Sequence, residues 1–205
     1  MTRIGIFGGA FDPIHYGHLL AAEQARESLK LHEILFVPVG DPPHKGHHLK
    51  STAHHRRSMV ELAIAGHDSF VLSDIDLDRP GPHYSVDTVQ LIRQQCQLSA
   101  ESSFLLIGAD LLPNFPTWYK ATQLINLCRI AVLQRPEYEF NVQELGNMLP
   151  GLPDQCDMVT VPELGLSSSH LRQMAKSGRS LRYQTPASVI AYIQKYQLYG
   201  NSGPF

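Results

Sequence analysis

Near its N-terminus the chain carries two histidines three residues apart, within Gly8-Gly9-Ala10-Phe11-Asp12-Pro13-Ile14-His15-Tyr16-Gly17-His18. Two imidazoles at one turn can reach the same phosphate chain, and with an unperturbed pKa near ~6.5 either charge state is accessible at neutral pH. Gly8 and Gly9 have no side chains, so the backbone there can approach a phosphate and offer it N–H donors. A helix expected to begin near Gly17 or His18 adds unpaired N–H groups and the positive end of its dipole. This cradle suits in-line attack of a phosphate oxygen on the α-phosphorus of a nucleoside triphosphate. That chemistry needs positioning and charge stabilisation more than a covalent nucleophile. A bare His-x-x-His pair can also be a structural turn and helix cap. A strand before it, the glycine pair and Phe11-Asp12-Pro13 favour the phosphate reading. Zinc would need a third ligand, which the sequence does not place.

Further along, Ser167-Ser168-Ser169 with Arg172 puts hydroxyls, free N–H groups and a fixed positive charge at a helix start. Those are the parts of an anion site, although a serine-capped surface helix carries the same signature. Lys45, in a long loop after the second strand, is a mobile point charge for a phosphate, and Arg135 after the fifth strand is a similar candidate. Tyr84 and Ser85 begin a helix whose free N–H groups can bind a carboxylate. Asp110, just past Gly108, can accept hydrogen bonds from a ribose or cap a helix. His44, His47, His48, His54 and His55 form a histidine-rich stretch. It reads as a solvated loop, since no rigid spacing organises three metal ligands.

The elements that must position these groups alternate between β-branched runs and amphipathic helical windows, the pattern of a mostly parallel α/β sheet. Strands are expected at Arg3–Phe7, Ile34–Val37, Phe70–Leu77, Phe104–Ile107, Ile130–Leu133 and Met158–Val161. Helices are expected with apolar faces at Leu19, Ala22 and Ala25, at Met59, Leu62 and Ala63, and at Val89, Ile92 and Cys96 behind an N-cap at Ser85. A further helix carries Leu171, Met174 and Ala175 and stops at Gly178, and a last one starts near Pro186. The expected architecture is a Rossmann-like open sheet with helices on both faces. It forms one domain over 1–205, with 167–205 a C-terminal helical segment.

Composition narrows the classes further. A chain of 205 residues that is 43% hydrophobic and 18% charged can bury an ordinary globular core. A net charge of −2 argues against a broad surface for nucleic acid. No segment approaches the roughly 18 apolar residues of a membrane span. The first residues run straight into a strand without a signal-peptide pattern, so a cytoplasmic location is expected. Cys96, Cys128 and Cys156 lack the spacing of a disulfide framework or a thiolate zinc site.

The Gly9–His18 segment resembles the signature of the nucleotidyltransferase superfamily, whose His-x-Gly-His element is shared with class I aminoacyl-tRNA synthetases. Further motifs follow in order: Pro42-Pro43-His44-Lys45, Arg57-x-Met59, Gly81-Pro82-His83-Tyr84-Ser85, Ile107-Gly108-Ala109-Asp110, Phe115-Pro116-Thr117-Trp118-Tyr119, Arg135-Pro136 and Ser167–Arg172. Together they resemble the bacterial nicotinate-nucleotide adenylyltransferase family from end to end.

The resemblance implies adenylyl transfer from ATP to nicotinate mononucleotide, with Mg2+ entering alongside ATP. It implies an ATP site of Gly8, Gly9, Ala10, Phe11, His15, His18, Gly108, Asp110, Ser168, Ser169 and Arg172. His15, His18 and Arg172 would be catalytic, with His18 at the reacting phosphate. Asp12, Lys45, Tyr84, Ser85, Asp110, Trp118 and Arg135 would hold the acceptor, the Trp118 indole stacking on the pyridine. The chain departs from the family pattern at Ala10, where a hydroxyl residue is usual, and at Val39-Gly40, where an asparagine is common. Ser85 and Ser169 replace threonines and keep the hydroxyl. The competing readings are another phosphorylated acceptor, such as nicotinamide mononucleotide or a phosphopantetheine, and a non-catalytic nucleotide-binding regulator. The Phe115–Tyr119 stretch and Tyr84-Ser85 suit a pyridine acceptor, and the retained His18 and Arg172 suit catalysis.

Overall fold

Six strands form: β1 Ile4–Gly9, β2 Glu33–Pro38, β3 Phe70–Leu72, β4 Ser103–Gly108, β5 Arg129–Gln134 and β6 Cys156–Thr160. They appear in a computed structural model that describes residues 2–41, 49–134 and 142–200. Every pairing is parallel, in the order β3-β2-β1-β4-β5-β6. The connecting helices are α1 Tyr16–Ser28, α2 Ala53–Ile64, α3 Ser85–Cys96, α4 Ala121–Leu127, α5 Val142–Leu145, α6 Leu152–Gln155, α7 Ser168–Lys176 and α8 Ala187–Lys195. The expected Rossmann-like sheet is therefore the architecture found, and it is parallel throughout. Among the described residues no helix is long and apolar enough to cross a membrane.

Alternate strand residues feed two cores, one on each face of the sheet. Phe7, Phe36, Phe104, Leu106 and Ala131 join α1, α2, α7 and α8 on one face. Ile6, Leu35, Val37, Leu105, Ile107 and Ile130 join α3 and α4 on the other. Burial on both faces is why these strands read as continuous apolar runs rather than alternating ones.

Several boundaries differ from the sequence expectation, each for a local reason. The glycine pair does not follow β1 but ends it, Gly8 pairing with Val37 and Gly9 with Pro38. The first helix starts at Tyr16 with His15 as its N-cap, slightly earlier than expected. Strand β3 stops at Leu72, because the Leu77 and Asp78 N–H groups fold back onto the Asp74 carbonyl. The buried face of α2 is Arg56, Met59, Val60 and Ile64, with Leu62 exposed. Tyr84, not Ser85, is the N-cap of α3, and Cys96 is exposed at its far end, leaving Val86, Val89 and Ile92 as the buried stripe. Strand β6 begins two residues early, at Cys156. In α7, Leu171, Met174 and Ala175 are buried as expected, and Gly178 follows in the left-handed region at φ 68°. Pro186 is the N-cap of α8.

Candidate active site

The strand order reverses between β1 and β4, the point at which open α/β sheets place ligands beyond the strands' carboxyl ends. Here β1 pairs with β2 through Gly9 but with β4 only as far as Ile6↔Leu105. Beyond that register the two strands part, with Gly8 and Gly9 on one side and Gly108 on the other. A Cβ on Gly8 would meet no atom within 4 Å, so its face is open. A Cβ on Gly9 would lie 2.9 Å from the Phe11 ring, so this position must be glycine for the turn to fold back. A Cβ on Gly108 would collide with the Asp110 carboxylate, which sits against it.

The turn between β1 and α1 forms no regular ladder, and its carbonyls are held by side chains from distant segments. Arg56 donates to the Ala10 carbonyl at 2.9 Å and to the Gly40 carbonyl at 3.2 Å. Arg172 donates to the Asp12 carbonyl at 2.7 Å, Ser168 to that of Pro13 at 2.8 Å and Thr185 to that of Ile14 at 2.7 Å. The Tyr16 N–H, free as the first of α1, finds the Gln184 carbonyl at 3.0 Å. Buried carbonyls left unpaired would each cost about 1–3 kcal/mol, so these donors fix one conformation.

That conformation stacks the two imidazoles, with ring centroids 3.7 Å apart and planes at 26°. The His15 N–H donates to His18 Nδ1 at 3.2 Å, which places the proton of a neutral His18 on Nε2 and makes that atom a donor. Burial pushes the His15 pKa down to about 4. His18 is likewise held well below its ordinary value, by burial first and by His15 second. Both rings are thus neutral at pH 7.

The unfolded chain takes up a proton on His15 near pH 6.5, before the folded protein does. Its contribution to stability is therefore full above pH 6.5 and is lost as pH falls toward 4. The loss is on the order of 3 kcal/mol. Urea unfolding of His15→Gln across this range is expected to show a correspondingly flatter decline than wild type. Parallel curves would mean that His15 is not buried neutral.

The structure brings Ala10, Phe11, Asp12, His15, His18, Ser168, Ser169 and Arg172 together, and several of them already have partners within the protein. Phe11 is 2% exposed and packs edge-on against Phe7 and His18 at 5.6 and 5.2 Å. Asp12 is buried, and its carboxylate already accepts from the Lys50 N–H, Ser51 Oγ and Tyr199 Oη at 2.7, 2.6 and 2.8 Å. It therefore braces the turn from within. Ser168 gives its hydroxyl to Pro13, while Ser169 Oγ accepts from Arg172 at 3.0 Å.

Two of the acceptor candidates belong to the other face. Tyr84 and Trp118 pack against the core that holds α3 and α4. Their rings sit on neighbours, Tyr84 on Tyr119 at 4.3 Å and Trp118 on Phe115 at 5.0 Å. Ser85 is the first residue of α3, and Asp110 is exposed in the 3-10 helix Ala109–Thr117. Lys45 and Arg135, with His44, His47 and His48, lie outside the described residues.

Sequence reasoning missed Arg56, Thr185 and Tyr199. Only Arg56 left a signal: it shares the helical spacing of Met59 and Val60 and so falls on an apolar face. A separate cavity of about 360 Å³ is lined by Asp41, His54, Arg57, Asp74, Asp76 and Arg79 among others. Two of its carboxylates are paired internally, Asp74 with Arg57 at 2.9 Å and Asp76 with Arg79 at 2.8 Å.

Comparison with known proteins bears on the fold and the family. The cytidylyltransferase-like family matches residues 6–174. The probable nicotinate-nucleotide adenylyltransferase of Roseiflexus sp. (strain RS-1) is 43% identical over 197 residues, spanning 96% of this chain and 97% of the relative. That of Thermomicrobium roseum is 40% identical over 199 residues, spanning 97% and 92%. Among solved structures, Plasmodium falciparum nicotinic acid mononucleotide adenylyltransferase complexed with APC superposes with a TM-score of 0.77 at 20% identity, covering 98% of this chain and 99% of that one. Its complex with NaAD gives 0.79 at the same identity and coverage. At that identity the likeness speaks for the fold. The sequence relatives speak for more: the chain belongs to the nicotinate-nucleotide adenylyltransferase family of nucleotidyltransferases.

Proposed function

We propose that the protein joins ATP and nicotinate mononucleotide to give nicotinate adenine dinucleotide and pyrophosphate, a step of NAD biosynthesis carried out in the cytoplasm. The observation that carries this reading is the neutral, stacked His15–His18 pair at the start of α1, beside the opening between β1 and β4.

In the reaction a phosphate oxygen of the mononucleotide attacks the ATP α-phosphorus. The bond to the α,β-bridging oxygen breaks, and pyrophosphate leaves with its electron pair. His18 Nε2–H donates to a non-bridging α-oxygen as charge builds there, and His15 keeps that ring in place. Gly8, Gly9 and Gly108 line the nucleotide without side chains, and Asp110 accepts from its ribose. Arg172 retains N–H groups beyond the two bonded internally, and its charge faces the triphosphate. The segment from residue 167 onward thereby completes the ATP site as part of the same domain.

Mg2+ enters bound to ATP. Among the described residues no group of three or more His, Cys, Asp or Glu is placed to hold a metal. Such a cation would be coordinated mostly by phosphates and water and would shield the negative charge of the leaving group.

On the acceptor side, the aromatic group of Tyr84, Trp118 and Tyr119 suits a flat pyridine ring, and the free N–H groups at the start of α3 suit its carboxylate. Lys45 and Arg135 complete the proposal as partners of the mononucleotide phosphate. The acid is therefore expected to be preferred over the amide by at least about tenfold in kcat/KM, one charge-assisted hydrogen bond being worth about 1.5–3 kcal/mol. Steady-state kinetics with nicotinate and nicotinamide mononucleotides measure this directly. Equal values for the two would remove the carboxylate contact from the account.

A further inference from the structure

Asp12 ties together four parts of the chain through its carboxylate and its carbonyl. Its Oδ2 accepts from the Lys50 N–H, and its Oδ1 accepts from Ser51 Oγ and Tyr199 Oη. Its own carbonyl takes the Arg172 guanidinium. Lys50 and Ser51 lead into α2, which Thr52 caps by accepting from the His55 N–H. The side chain of Arg56, one turn into α2, returns to the Ala10 carbonyl. Asp12 is 2% exposed and Arg56 1% exposed, so the carboxylate and guanidinium charges are enclosed together.

Tyr199 reaches this point across a sequence separation of 187 residues. Its backbone lies in the left-handed region at φ 66°, which side-chain-bearing residues seldom adopt. Burial, then the Asp12 charge, push its phenol pKa up, so the hydroxyl remains a donor throughout the working pH range.

We infer that Tyr199 is a positioning residue for adenylyl transfer: its hydroxyl orients the Asp12 carboxylate, which locks Lys50 and Ser51 onto the turn that carries His15 and His18. In this proposal Tyr199 and Asp12 act without touching substrate. Each acts through the placement of the histidine turn against the start of α2, so small displacements there are felt in the reaction rather than in binding. The inference rests on the reaction proposed above.

Tyr199→Phe keeps the ring and removes only the hydroxyl. At saturating ATP and nicotinate mononucleotide, kcat per folded molecule is expected to fall about tenfold, while the KM for ATP changes by less than about twofold. Asp12→Asn should fall similarly, and the double variant should be no slower than the slower single one, because both remove one connection. Amide exchange at Lys50, which requires no turnover, should speed up in Tyr199→Phe. An unchanged kcat per folded molecule, additive losses in the double variant, or unchanged Lys50 exchange would each overturn the inference. The wild-type rate in the same assay reports on the reaction itself, and the ratio of variant to wild type reports on Tyr199.

Discussion

Replacing His18 with alanine is expected to lower kcat by roughly 10²-fold or more, the usual effect of deleting one donor to developing charge. The structure gives a specific reason. His18 Nδ1 is occupied by the His15 N–H, so the proton of the neutral ring sits on Nε2. The lowered pKa values of both rings keep that arrangement at physiological pH. The ring acts as a preorganised dipole rather than as a general base, so kcat should show no histidine titration between about pH 6 and 8. His18→Asn, which keeps a donor at shorter reach, should recover part of the loss. Stopped-time measurement of pyrophosphate release by the variants checks both points, and a wild-type rate for His18→Ala would reduce His18 to scaffold.

Loss of Arg56 should produce the largest change in stability. Its guanidinium serves the Ala10 and Gly40 carbonyls and lies near the buried Asp12 carboxylate, while its own pKa is held down chiefly by burial. Arg56→Ala would leave two carbonyls short of a donor, a carboxylate without its enclosed countercharge and an empty volume on the inner face of α2. Removing one partner of such a buried charged group typically destabilises by about 3–5 kcal/mol. In a chain of this size that corresponds to a fall in Tm of roughly 10 °C, measurable by calorimetry. Arg56→Lys should not restore stability, since one ammonium cannot serve both carbonyls in the geometry of a planar fork. A fall of only 1–2 °C for Arg56→Ala would show that the turn does not depend on this residue.

These two residues mark how far the sequence could be read. The Gly8–His18 turn was legible because its chemistry is local: strand, glycines, histidines and helix start are consecutive, and each is needed where it stands. The parallel sheet was legible because β4 and β5 are unbroken apolar runs of strand length, as burial on both faces requires.

What holds the turn was not legible. Arg56, Thr185 and Tyr199 meet it across separations of 46, 171 and 187 residues, and nothing in their local spacing encodes that meeting. Asp12 illustrates the same point from the other side. An aspartate among phosphate-binding residues reads as a ligand contact, whereas three internal donors already occupy it. At β3 the alternation of Ile75 and Leu77 with Asp74, Asp76 and Asp78 imitates a strand. Instead Asp74 engages Arg57, and Asp76 engages Arg79 and Thr88 while the chain turns. Polar pairing, rather than a sheet partner, accounts for the period of two there.

The most direct test of the central claim is to supply ATP, Mg2+ and nicotinate mononucleotide and follow both products, together with exchange of labelled pyrophosphate into ATP when the acceptor is left out. Direct transfer at the His15–His18 turn predicts nicotinate adenine dinucleotide and pyrophosphate in equal amounts, with no exchange until the acceptor is added. Pyrophosphate released without the dinucleotide, or label entering ATP in the absence of acceptor, would contradict it.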